Sequence, residues 1–120
     1  MYRGEKMEQM KRLLASIGKK SFVEFYEDYQ LLYKKGKNLT KEDKNKLARK
    51  LLESNPDATE LGGQLIRISA ALRLFKNEWQ REALEEVINS THNIITNNVK
   101  LRAIELLRKE GKRPSIDMTK

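Results

Sequence analysis

Between Leu61 and Phe75 the chain is apolar on two sides of one helical period. Leu61, Leu65, Ile68, Leu72 and Phe75 recur at alternating steps of four and three, the stripe of a helix that faces a core. Gly63, Ile66, Ala70 and Leu74 form a second, smaller stripe nearly opposite, and Gln64, Arg67, Ser69 and Arg73 stand between the two. A helix apolar on both sides has to be covered on both, by the rest of the chain or by a second subunit. The segment from about residue 58 to 76 is therefore the predicted centre of the fold.

The flanking patterns are helical as well. Met7, Met10, Leu13, Leu14 and Ile17 predict a first helix over Glu5 to Ile17, stopped by Gly18, because glycine accepts the left-handed conformation that closes a helix. Ser21 with Glu24 has capping-box spacing and opens an aromatic helix, with Phe22, Phe25, Tyr29 and Leu32 on one face and Tyr26 and Tyr33 toward its flank. Gly36 ends it. Thr40 with Asp43 caps a third helix whose stripe is Leu47, Ala48, Leu51 and Leu52.

Ser54-Asn55-Pro56-Asp57 is the clearest break, since proline lacks an amide donor and restricts the residue before it. Asp57 with Glu60 can cap the central helix. Gly62 and Gly63 then cost about 1 kcal/mol each against alanine in a helix interior, so they mark a bend or a close backbone approach. Asn77 with Gln80 caps a fifth helix carrying Trp79, Ala83, Leu84, Val87 and Ile88. A last helix runs from about Asn97 to Glu110. The prediction is an all-α protein, a compact bundle of five to six helices in one domain over residues 1–111, with residues 112–120 as a flexible basic tail.

Composition narrows the chemistry. A length of 120 residues suits one core. The absence of cysteine excludes disulfides, thiolate metal sites and a cysteine nucleophile. His92 is the one histidine, with no metal-ligand spacing around it, and Glu82, Glu85 and Glu86 sit at exposed helical positions rather than in a pocket that shifts their pKa values. No enzyme, metal or cofactor is expected. No apolar run approaches the ~20 residues that span a bilayer, and the N-terminus lacks a signal-peptide core, so the expected location is cytoplasmic, off the membrane.

Charge supplies the functional lead. Lysine and arginine number 25 against 17 acids, a net +8, and both ends of the chain are basic. Such a balance points to a polyanion partner. The leading expectation is a DNA-binding, regulator-like protein with a helix-turn-helix-like arrangement, residues 41–53 supporting and the central segment inserted. Gln64, Arg67, Ser69 and Arg73 are expected to face the groove, with Lys34, Lys35, Lys37, Lys41 and Lys44 on phosphates. The connection over residues 54–62 is longer than the compact motif uses and contains proline. On this reading Arg67 and Arg73 can be truncated without loss of stability. The alternative is a protein-interaction or oligomerisation module, a dimer favoured, with Gly63, Ile66, Ala70 and Leu74 at the interface.

Overall fold

Gly18 determines how the chain begins. In a computed structural model that describes residues 2–54, 60–93 and 95–111, it takes φ +91° and ψ +126°, which a β-carbon would strain. Its amide donates to the Leu14 carbonyl at 2.8 Å, and its own carbonyl accepts from the Phe22 amide at 2.8 Å. One residue thereby ends α1 (Tyr2–Ile17) and starts α2 (Lys19–Glu24). Helical geometry begins two residues before Ser21, so Ser21 is not the predicted cap. Its hydroxyl lies 2.8 Å from the Tyr29 hydroxyl instead.

The aromatic helix is divided at Phe25 (φ −113°, ψ +21°), after which α3 (Tyr26–Lys34) follows. The hydrogen-bond ladder runs through the bend, from the Phe25 amide to the Ser21 carbonyl and from the Tyr29 amide to the Phe25 carbonyl, each 2.9 Å. Directions of the side chains beyond it shift, so Tyr26 is buried and Phe25 is only half-buried, the reverse of their predicted ranks. Phe75 is the hub of this cluster, with ring centroids 6.2 Å from Phe22, 5.3 Å from Tyr26 and 6.0 Å from Tyr33.

Beyond a 3-10 turn (Gly36–Asn38), α4 (Lys41–Ser54) opens on the predicted capping box. The Thr40 amide donates to Asp43 Oδ2 and the Asp43 amide to Thr40 Oγ1, both at 3.1 Å. The helix is described as far as Ser54; the predicted break over residues 55–57, the proposed Asp57 cap and the 112–120 tail lie outside the described residues.

The central helix, α5 (Leu61–Lys76), starts a turn later than predicted and runs unbroken through Gly62 and Gly63. It packs against α1, α3 and α4. Gln64, Ile68, Ala71 and Phe75 are buried, and so are Ala70 and Leu74. Gly62, Ile66, Ser69, Arg73 and Lys76 form the exposed strip. The two apolar stripes are thus not covered from opposite sides. The chain wraps the arc that passes between them through Gln64, Arg67 and Ala71, and leaves to water the arc through Ser69 and Arg73. Ala70 and Ala71 present only methyl groups on the wrapped side, which lets neighbouring helices come close.

The exit from α5 is a Schellman motif. The Trp79 amide donates to the Leu74 carbonyl at 3.1 Å and the Glu78 amide to the Phe75 carbonyl at 2.9 Å, with Glu78 at φ +59°. Asn77 Nδ2 donates back to the Arg73 carbonyl at 3.1 Å, so Asn77 closes α5 rather than opening α6 (Gln80–Ile88) as expected. In the connection to α7 (Asn97–Gly111), Ser90 Oγ accepts from Lys19 Nζ at 3.3 Å and from the His92 amide at 3.2 Å. The described residues are all-helical, with seven α-helices where five to six were predicted, partly because Phe25 splits one element. Among them no helix is long and apolar enough to cross a membrane.

Candidate nucleic-acid interface

The lysines singled out in the sequence are gathered by a tight reversal. Lys34 ends α3, Gly36 turns the chain at φ +52°, Lys37 sits in the 3-10 turn, and Lys41 and Lys44 begin α4. Two ion pairs hold α3 and α4 antiparallel: Lys35 Nζ to Asp43 Oδ2 at 3.7 Å near the reversal, and Lys50 Nζ to Asp28 Oδ2 at 3.2 Å away from it. Tyr33 stacks on Phe75 with an interplanar angle of 21°, which brings the last turn of α5 to the same end. Lys34, Lys35, Lys37 and Lys41 are exposed and Lys44 is half-buried.

Electrostatics separates these lysines into two kinds. The last turns of α3, α5 and α7 carry Lys34, Arg73 with Lys76, and Arg108 with Lys109, and a cation there complements the partial negative charge of a helix C-terminus. Lys41 and Lys44 stand in the first turn of α4, where the helix dipole repels them. Only Lys35 of the five is ion-paired among the described residues. Its partner Asp43 is held below the usual carboxylate range, first by the Thr40 amide and hydroxyl and then by Lys35.

The groove-facing set is not brought together. Gln64 is 4% exposed, with Oε1 buried and without a hydrogen bond. Half-buried Arg67 turns inward, its Nη1 donating to the Ile17 carbonyl at 3.4 Å. Ser69 and Arg73 are exposed on the other side of the helix. Gln64 and Arg67 therefore belong to the packing of α5, and no face of that helix presents all four side chains. The sequence marks both arcs between the stripes as polar, and only the docking of α1 onto one of them distinguishes the two.

The oligomer stripe divides in the same way. Gly63 is exposed and Ile66 is 64% exposed, whereas Ala70 (8%) and Leu74 (0%) are in the core of the same chain. Ala70 and Leu74 are thus already covered and leave half of the predicted interface. A β-carbon built on Gly62 or Gly63 meets nothing within 4 Å, so neither glycine admits another helix of this chain.

Two polar features went unread. Glu110 is 5% exposed, and its Oε2 accepts from Tyr26 Oη at 2.5 Å and from Gln30 Nε2 at 3.3 Å, tying the end of α7 to α3. The signal was present, since Val99, Ala103, Leu106 and Glu110 continue one helical stripe. Burial likewise pushes the Tyr29 hydroxyl above its ordinary value, against the lowering effect of the Ser21 hydrogen bond. His92 is exposed in the α6–α7 connection. Among the described residues no three histidine or carboxylate groups are placed to hold a metal ion. The chain matches no protein-family model, no curated protein and no solved structure.

Proposed function

We propose that the protein binds nucleic acid, without acting on it chemically, through the lysine-rich end formed by α3, the 3-10 turn and α4. The observation that carries this reading is the convergence of Lys34, Lys35, Lys37, Lys41 and Lys44 on one reversal, two of them against the dipole of their own helix. Lysine is a point charge on a flexible stem, suited to phosphate and indifferent to base identity. The reading therefore shifts from a groove-reading helix to backbone contact, with a regulator-like role on DNA in the cytoplasm as the setting expected from the sequence.

The test is fluorescence anisotropy of labelled oligonucleotides from about 50 to 200 mM salt. Binding that weakens steeply with salt and falls in the Lys37→Glu/Lys41→Glu variant supports the proposal. Absence of binding at the low-salt end removes it. A second reading, self-association through the exposed strip of α5, is favoured by Ile66, which leaves 64% of its surface in water. Light scattering on the wild type and on Ile66→Glu decides it: a dimer that the variant dissociates supports it, and a monomeric wild type excludes it.

A further inference from the structure

Tyr33 is the aromatic side chain at the lysine-rich end, and its setting differs from that of a ring filling the core. It is 39% exposed. The ring lies near-parallel to Phe75, at 6.0 Å and 21°, and Phe75 is itself wedged against Phe22 and Tyr26. The ring is thus backed by the core through Phe75 while the residue stays exposed to water. Lys34 and Lys35 follow it directly, and Lys37 and Lys41 lie across the reversal.

We infer that the ligand of this end is single-stranded nucleic acid, with an unpaired base stacked on Tyr33 and the flanking phosphates held by Lys34, Lys37 and Lys41. The inference rests on the lysine-rich end being the contact surface. A flat ring beside cations is the combination that binds single strands without sequence preference, because every base has a π-face and the backbone supplies the charge. A duplex presents phosphates but keeps its base faces stacked inside, so Tyr33 adds nothing to duplex binding. With these three lysines engaged, log affinity against log salt has a slope of about −2 for a single strand.

The experiment compares a labelled single-stranded oligonucleotide with the duplex of the same sequence, for wild type, Tyr33→Phe, Tyr33→Leu and Lys37→Glu/Lys41→Glu, with circular dichroism confirming that each variant is folded. Leucine retains apolar packing on Phe75 and removes the π-face, so it separates stacking from stability. The expected result is single-strand preference in the wild type, retention in Tyr33→Phe, and a loss of roughly 5- to 100-fold in Tyr33→Leu for the single strand alone. The lysine variant is expected to weaken both probes. Unchanged single-strand affinity in Tyr33→Leu, or a wild-type preference for duplex, overturns the inference and leaves the lysine-rich end standing. Failure of the wild type to bind either probe overturns both.

Discussion

Arg67 reaches out of the middle of α5 to the end of α1, its guanidinium donating to the Ile17 carbonyl at 3.4 Å. That carbonyl belongs to the last turn of a helix, where carbonyl groups lack partners and the dipole is negative. The arginine also stands 3.7 Å from where a β-carbon on Gly18 would lie, so it packs over the turn that separates α1 from α2.

Arg67→Ala is therefore expected to destabilise the protein by about 1–2 kcal/mol, a fall in thermal midpoint of roughly 3–5 °C per kcal/mol for a domain of this size. Arg73→Ala, on the exposed strip, is expected to stay within about 0.5 kcal/mol. Urea titration of the two variants checks the pair, and equal stabilities would remove the structural role assigned to Arg67. The sequence alone treated the two arginines as equivalent.

Glu78 occupies the left-handed position of the Schellman motif that closes α5, at φ +59°. A side chain pays conformational energy there that glycine avoids. Glu78→Gly should raise stability by about 0.5–1 kcal/mol, the relief of strain outweighing the greater freedom of the unfolded chain. A lowered denaturation midpoint would show that the Glu78 side chain contributes more than its backbone costs.

Asp43 and Tyr29 set opposite ends of the pH profile. The Asp43 carboxyl is held below its ordinary 3.8 in the folded protein, so its contribution is complete above that value and is lost as pH falls through the lower folded-state value. Asp43→Asn should flatten the acid limb of stability below about pH 4. Tyr29 is raised above 10.0 by burial, so its contribution is complete below pH 10 and lost as pH rises through the higher folded-state value. Tyr29→Phe should lose about 1 kcal/mol at neutral pH with the Ser21 hydrogen bond, yet decline less steeply in alkali. Denaturant titrations across both ranges read the two slopes.

Gly62 and Gly63 lie in the first turn of an unbroken helix with open space beyond them. Gly62→Ala and Gly63→Ala should each stabilise the monomer by about 0.5–1 kcal/mol. If a second helix approaches there, the same changes weaken self-association while raising the melting temperature of the monomer, opposite signs that light scattering and calorimetry record separately. Stabilisation without any change in molar mass would assign the glycines no role in assembly.

The all-helical class and the Thr40–Asp43 box were legible in the sequence because both depend on neighbours three or four residues apart. Gly18 was legible as a stop for the same reason. Its second use as the start of α2 displaced the Ser21 cap, and the Asn77 side chain turned back to Arg73, because either polar group can satisfy whichever unpaired backbone partner the chain path brings nearest.

The site divided along the same line. Lys34 to Lys44 converge because a short reversal forces them together, a local fact that the glycine and the capping box announce. Which side of α5 faces inward was not local: Gln64 with Arg67 and Ser69 with Arg73 are equivalent polar arcs until α1 docks on one, and then Ala70, Ala71 and the Ile17 carbonyl make that choice self-consistent. Phe75 likewise reads as one more stripe residue, and only tertiary packing sets Tyr33 upon it at the lysine-rich end. Periodicity determined which residues share a face; helix-to-helix docking, governed by contacts between residues 42 to 84 positions apart, such as Tyr33 with Phe75, Arg67 with Ile17 and Glu110 with Tyr26, decided which faces are covered.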